Sequence, residues 1–184
     1  MRYKRKMDER DVHQFRYLIK ELSGEDPGKC IQCGKCSAGC PIAKEMDFLP
    51  NQVMELIRLN KQTQLLRANT FWLCAQCQTC SVRCPEDIDI AKVMNTLRRL
   101  CLKKAVEPGA ADVALLNKVF VDSISSFGRV YELGMVMKYN ILRGNPFKDI
   151  TLAPLMIKKR KISFLPHKVK DIKRIKEMIK KTVG

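Results

Sequence analysis

The sequence predicts an all-α fold in which two cysteine-rich loops lie between helices. Three observations lead to this prediction. Eight of the nine cysteines fall into two runs with the same internal spacing. Apolar residues after each run recur with the 3.6-residue period of an amphipathic helix. The alternation of apolar and polar residues that is typical of strands hardly occurs along the chain. Helices, rather than β-hairpins, are therefore expected to carry both cysteine runs.

Each cysteine run reads C-x2-C-x2-C-x3-C-P. This spacing is typical of bacterial-type ligand runs for 4Fe–4S clusters, in which the fourth cysteine of each run binds the cluster of the other run. The proline that follows lacks an amide N–H and fixes φ, so the chain turns away after the fourth cysteine. We therefore predict two 4Fe–4S clusters with exchanged ligands. The ligands of the first cluster are Cys30, Cys33, Cys36 and Cys84, and those of the second are Cys74, Cys77, Cys80 and Cys40.

Two other uses of cysteine are weighed against this prediction. Structural zinc sites also use paired C-x2-C units, but zinc leaves the third cysteine step and the trailing C-x3-C-P unexplained in both runs. A disulfide framework needs an oxidising compartment. The charged N-terminus, Met1–Lys6, is not followed by the apolar stretch of a secretory signal. Iron–sulfur ligation is favoured, and a cytoplasmic location is expected.

Residues between and beside the cysteines fit a cluster site. Small residues in the first run would let backbone N–H groups approach cluster sulfur, where such hydrogen bonds help to set the reduction potential. These small residues are Gly34, Ser37, Ala38 and Gly39. Phe71, Trp72 and Ile31 are interpreted as solvent shields for the clusters, although core packing explains them equally well.

The elements around the runs follow in order. Residues 8–22 form an apolar-periodic helix that ends at Gly24 and Pro27. Pro50 and Asn51 mark a second start, with Asn51 as the N-cap, and lead to one long helix or two short ones. The helix after the second run has an apolar face of Ile90, Val93, Met94, Leu97, Leu100 and Cys101. Cys101 is interpreted as a buried core residue, because free cysteine commonly packs as a small hydrophobe.

Beyond Pro108 the chain has no cysteine and reads as further helices. One is outlined by residues 113–124 and stopped by Gly128, and another runs from Arg129 to Arg143. A short helix over 146–157 and a last, lysine-rich amphipathic helix follow the same pattern. We therefore predict two domains: residues 1–107 as the cluster domain, and residues 108–184 as a helical extension for subunit docking. A solvated lysine face on the last helix remains an open alternative to docking.

Charge and hydropathy exclude several classes of protein. The net charge is +16, of which +10 falls in residues 108–184. No stretch approaches the roughly twenty apolar residues of a membrane span, since the best candidate, Val130–Leu142, is short and carries charges. No recognised nucleic-acid motif accompanies the basic residues. His13 and His167 lie beside no candidate nucleophile, and no catalytic or phosphate-binding motif occurs.

Two such runs on helices, about forty residues apart, resemble the C-terminal domain of succinate dehydrogenase and fumarate reductase iron–sulfur subunits. They resemble the small iron–sulfur C subunits of heterodisulfide reductases more closely, through the segments Cys30–Pro41, Phe71–Cys77 and Cys84–Ile90. The resemblance covers roughly residues 8–145. Only 29 residues precede Cys30, so a preceding 2Fe–2S domain is not expected. No adjacent cysteines occur, so a disulfide-cleaving site would lie on another polypeptide.

The resemblance implies an electron-transfer subunit of an oxidoreductase complex of methanogenesis, with no active site of its own. Its clusters would relay electrons from a subunit that carries flavin and further iron–sulfur clusters to the subunit that reduces the coenzyme M–coenzyme B heterodisulfide. A hydrogenase is a further candidate partner, while nucleic acid and a membrane span are not expected. The alternative is a ferredoxin-like electron-transfer subunit of another oxidoreductase, of the succinate dehydrogenase, fumarate reductase or glycolate oxidase type.

Overall fold

The computed structural model describes residues 14–146, 148, 169 and 171–183, and helices without strands make up this part of the chain. The all-α prediction is thereby confirmed. The chain divides into two compact units, Met1–Ala111 and Asp112–Gly184. The first unit contains both cysteine runs.

The first unit consists of seven α-helices and two 3₁₀ helices among its described residues. The 3₁₀ helices are Pro27–Lys29 and Ala43–Glu45. The α-helices are α1 (Gln14–Ser23), α2 (Lys35–Ala38), α3 (Pro50–Arg58), α4 (Gln62–Leu66), α5 (Thr70–Leu73), α6 (Thr79–Val82) and α7 (Ile90–Lys103). The first run thus surrounds α2 and the second surrounds α6, while longer helices precede or follow them.

Helix α7 forms the centre of the core. Helices α1, α4, α5 and α6 all pack against it, and α1 also packs against α3. The predicted apolar face of α7 is confirmed, because each of its six residues is no more than 5% exposed. Burial of a large aliphatic side chain stabilises the fold by about 1.5–3 kcal/mol. The helix after the second run therefore anchors the platform that carries both loops.

Helix α1 ends as the sequence indicates. Gly24 adopts φ 74° and its N–H donates to the carbonyl of Lys20, which is the left-handed glycine cap of a helix C-terminus. Phe15 and Ile19 are buried, whereas Leu22, which fits the same apolar period, is 49% exposed. The predicted start of this helix at residue 8 lies outside the described residues.

The expected N-cap of α3 is wrong by two positions. Leu49 is the N-cap, Pro50 opens the helix, and the Gln52 side chain accepts a hydrogen bond from the Leu49 N–H at 2.9 Å. Asn51 instead reaches back to the first cysteine run. Of the two predicted alternatives, the structure shows two short helices, because Asn60 takes a left-handed φ of 56° between α3 and α4.

The second unit contains α8 (Ala111–Phe127), α9 (Glu132–Leu142) and α10 (Ile172–Val183). Gly128 has φ 79° and stops α8 as predicted. Helix α9 begins three residues later than expected. Val169, beside Gly128, donates its N–H to the Phe127 carbonyl. The predicted short helix over 146–157, the basic segment 158–161 and both histidines fall outside the part of the chain that the structure describes.

Candidate iron–sulfur centres

The two cysteine runs adopt the same backbone conformation. In the first run φ is positive at Gln32 and Gly34, and in the second it is positive at Gln76 and Gln78, the equivalent positions on either side of the second cysteine. Alternation of left-handed residues with ordinary ones turns successive N–H groups toward one concave side, a form that binds anions, including iron–sulfur clusters. The sequence repeat is therefore also a structural repeat.

Each loop borders a cavity lined by four cysteines. The first cavity, of about 330 Å³, includes Cys30, Cys33, Cys36 and Cys84 in its lining. The second, of about 390 Å³, includes Cys40, Cys74, Cys77 and Cys80. The cavities thus group the cysteines in the same way as the predicted ligand sets. Four soft thiol donors around one space suit an iron–sulfur cluster, while the ligation itself stays a prediction.

The exchange of fourth cysteines follows from the packing of the two short helices. Helices α2 and α6 contact each other, which brings the end of each run to the cavity of the other. Cys40 lies near enough to Cys74 for its charge to affect the pKa of that thiol. The Arg83 side chain lies over Gly39, where a Cβ atom would meet its guanidinium at 2.5 Å. The two loops are thus in direct contact.

The thiols differ in burial and in acidity. Burial raises the pKa of Cys36, Cys74 and Cys80 above the ordinary thiol value. Cys77 is exposed, and a hydrogen bond with the Thr79 hydroxyl, 3.4 Å away, lowers its pKa. A metal centre must displace these protons, so cluster assembly releases protons. Within the described residues, no three Cys, His, Asp or Glu side chains lie close enough to hold one metal ion.

A polar network holds the first run against α3. The Ser37 hydroxyl donates to the Asn51 side-chain oxygen and accepts from the Asn51 backbone N–H at 3.0 Å. The Gln32 side chain donates to the Asn51 carbonyl at 3.1 Å and accepts from the Asn51 amide at 3.4 Å. These bonds fix residues on both sides of Cys33 and Cys36, so they stabilise the loop that presents those thiols.

The second run is held against α7 in a related way. Ser81, like Ser37, directly follows the third cysteine of its run. Its hydroxyl donates to the Asp89 carboxylate at 2.7 Å and accepts from the Ala91 N–H at 3.3 Å. Asp89 is also the N-cap of α7, accepting from the Lys92 N–H. Sequence reasoning missed both serine contacts, although a serine at the same place in each run was a visible signal.

An arginine reaches the first cysteine of each run. Arg58 of α3 donates to the Cys30 carbonyl at 3.1 Å. Arg98 of α7 donates to the Phe71 carbonyl at 2.6 Å and to the Cys74 carbonyl at 3.1 Å. Neither arginine was singled out from the sequence, because each acts across a distance of 24 or more positions in the chain.

The remaining candidates are core residues. Phe71 and Trp72 are buried at 0% and 3% exposure, and neither lines a four-cysteine cavity. Ile31 does line the first cavity and is 60% exposed. Cys101 is buried, and its thiol donates to the carbonyls of Leu66 and Val106 at 3.5 Å. Its predicted role in core packing is confirmed.

Comparison with known families defines the class of this site. Residues 27–88, which contain both cysteine runs, match the model of a family described as 4Fe-4S dicluster domain. The first unit is therefore a helical ferredoxin-type iron–sulfur domain with two 4Fe–4S clusters, as the cysteine spacing predicts.

The predicted resemblance to the C subunits of heterodisulfide reductases is also confirmed. The chain is 35% identical over 89 residues to the C subunit of ferredoxin:CoB-CoM heterodisulfide reductase of Methanosarcina mazei, which covers 47% of this chain and 55% of that protein. It is 29% identical over 113 residues to an iron–sulfur C subunit of CoB–CoM heterodisulfide reductase of Methanocaldococcus jannaschii, with coverages of 59% and 57%. The corresponding protein of Methanothermobacter marburgensis is 27% identical over 90 residues, with 49% of each chain covered. The chain thus spans about half the length of these curated relatives.

Within the described residues, none of the helices combines the length and apolarity needed to cross a lipid bilayer.

Proposed function

We propose that this chain is the electron-relay subunit of a heterodisulfide reductase complex. One observation carries the proposal: the structure sets two four-cysteine cavities side by side and joins them through the contact of α2 and α6. Two adjacent one-electron centres in a domain with no catalytic motif are suited to passing electrons. The names of the relatives supply the reaction, reduction of the CoB–CoM heterodisulfide.

The proposed ligands are those of the two cavities. Cys30, Cys33, Cys36 and Cys84 hold what we name the first-run cluster. Cys74, Cys77, Cys80 and Cys40 hold the second-run cluster. When bound, each cluster supplies one-electron redox chemistry. The protein contributes the thiolates, the N–H groups of the two loops, and a helical body that fixes both loops.

The surroundings support a relay without an active site of its own. We propose that electrons arrive from a flavin-bearing iron–sulfur subunit and leave toward the subunit that reduces the heterodisulfide, in the cytoplasm, with a hydrogenase as a further partner of the complex. Residues 108–184 have a net charge of +10, and such a field favours association with acidic surfaces. We therefore assign this part of the chain to subunit docking.

Anaerobic purification of the full chain tests the cluster content. We expect about eight iron and eight sulfide per chain, as two 4Fe–4S clusters require, and a brown protein that does not reduce the heterodisulfide alone. A well-folded chain that contains zinc in place of iron, or that is colourless with its cysteines joined to one another, would contradict the proposal.

The ligand exchange has a separate test. Cys40→Ser is expected to impair the second-run cluster, although Cys40 belongs to the first run in sequence. Cys101→Ser is the matched control, because Cys101 lies in the core and lines neither cavity. EPR spectra of the reduced variants report each cluster. Selective damage to the first-run cluster in Cys40→Ser would show that each run binds its own cluster.

Co-purification from the native organism tests the partners. A flavin-bearing subunit and a heterodisulfide-reducing subunit should come down with this chain. Recovery of a different oxidoreductase instead would favour the alternative of a ferredoxin-like electron-transfer subunit, with the same clusters and another terminal enzyme.

A further inference from the structure

We propose that the two clusters differ in reduction potential, with the second-run cluster the higher of the two, and that Arg98 is the main residue that sets this order. The inference deepens the proposed function, since it requires both clusters to be present. In the protein that holds a single electron, that electron would then reside mainly on the second-run cluster. Transfer within the chain would oxidise the first-run cluster by one electron and reduce the second-run cluster by one.

Arg98 places a partly buried positive charge beside the second-run cluster. Its guanidinium donates to the carbonyls of Phe71 and Cys74, and so lies against the backbone of a proposed ligand. Burial lowers the pKa of Arg98, but arginine stays charged in proteins. Among the described residues no carboxylate forms an ion pair with it. Its charge is therefore neither neutralised by an acid nor fully screened by water.

The equivalent arginine at the first-run cluster is neutralised. Arg58 donates to the Cys30 carbonyl, but it also pairs with Glu55 at 3.2 Å, and both side chains are more than one third exposed. Charges in contact with solvent interact weakly, because water and salt screen them. Arg58 and Glu55 together thus contribute little net charge at this cluster.

The cavity linings add to the same difference. The first cavity includes one charged residue in its lining, the acidic Glu86. The second includes no charged residue, and its lining is completed by apolar side chains such as Met46 and Met94. Arg83 is exposed and lies between the two runs over Gly39, so its screened charge does not strongly favour one cluster.

These charges decide where an added electron is more stable. A 4Fe–4S cluster with four thiolates is an anion, and reduction adds one more negative charge to it. Net charge nearby, hydrogen bonds and solvent exposure set its potential. A positive charge in a partly desolvated site stabilises the reduced form more than a screened charge does. Arg98 therefore raises the potential of the second-run cluster, while Glu86 and Glu55 lower that of the first.

A redox titration followed by EPR on the full chain tests the order. Arg98→Met removes the charge, and Arg98→Lys retains it with fewer donors. At half reduction we expect Arg98→Met to lower the ratio of reduced second-run to reduced first-run cluster at least tenfold, which corresponds to about 59 mV for a one-electron couple. Arg98→Lys should lie near wild type. Arg58→Met is the matched control, with a much smaller change at the first-run cluster.

Cys33→Ser and Cys77→Ser assign the EPR signals, since these are the exposed cysteines of the two runs. If Arg98→Met fails to fold, Glu86→Gln still tests the order, because it should raise the first-run potential and narrow the gap. The inference is overturned if wild type holds both clusters but the first-run cluster is reduced first, or if Arg98→Met and Arg98→Lys shift the potentials equally. A chain without two clusters would instead refute the proposed function.

Discussion

Replacing Asn51 with alanine should loosen the first cysteine run and speed the loss of its cluster. The change removes the hydrogen bond that the Ser37 hydroxyl donates to the Asn51 side chain and the longer one to Gln32. A typical internal hydrogen bond contributes about 1 kcal/mol, and an unpaired, partly buried hydroxyl adds a comparable cost. The two backbone bonds of Asn51 persist. The expected destabilisation is therefore about 1–2 kcal/mol, or roughly a 5- to 30-fold shift in the loop-opening equilibrium.

Visible absorbance under anaerobic conditions, in a mild concentration of urea, follows cluster loss. Asn51→Ala should release the first-run cluster faster than wild type, at up to the ratio given above, while release of the second-run cluster changes less. Asn95→Ala is the control, because Asn95 is exposed on α7 and is distant in sequence from both loops. Its cluster-loss kinetics should match those of wild type.

A double-mutant cycle with Ser37→Ala separates the contact from general effects of substitution. If the two side chains interact as the structure shows, the double variant loses less stability than the sum of the single variants. Strict additivity of the two substitutions, or equal acceleration at both clusters in Asn51→Ala, would refute the reasoning.

Two further predictions concern the backbone and an ion pair. Gln78→Gly should raise the free energy of unfolding of the holoprotein by about 1 kcal/mol, because Gln78 has φ 63°, whereas Gly34→Ala at the equivalent position should lower it. No atom lies within 4 Å of the added Cβ at Gly34, so a loss larger than a few kcal/mol in urea melts would contradict this. A hydrogen bond from Lys20 lowers the pKa of Asp26 to about 2. Its contribution is complete above the unfolded pKa near 4 and is lost as pH falls through 2, so Asp26→Asn should destabilise the protein at pH 7 by about 1–2 kcal/mol. An unchanged urea midpoint in that variant would show that the ion pair contributes nothing.

The helices and the cysteine grouping were accessible from the sequence because both depend on local spacing. The apolar face of α7 repeats with the helical period, and all of its predicted members are buried. Gly24 and Gly128 stop their helices because each takes a left-handed φ that other residues adopt only at a cost. The repeated cysteine spacing likewise indicated two sites, since one loop conformation serves both runs.

The contacts that fix the loops were not accessible, because they join residues far apart in the chain. Asn51 fits an N-cap by residue type, and only the packing of α3 on the first run shows that it binds Ser37 instead. Arg98 is one of several basic residues on α7 in the sequence. Its importance depends on the position of the Phe71 and Cys74 carbonyls, which lie 27 and 24 residues earlier.

The likeness of the two loops bears directly on how a relay can have a direction. Backbone conformation, cysteine spacing and the serine after the third cysteine are shared by both runs, so hydrogen bonds from the loops should tune the two clusters alike. A difference in potential must then come from outside the loops. Helices α3 and α7 supply it, since one presents an arginine paired with Glu55 and the other an arginine that binds only carbonyls. Exchanging the charge pattern of these two helices, by Arg98→Met together with Glu55→Gln and Glu86→Gln, should therefore reverse or abolish the order of the potentials while both clusters remain bound.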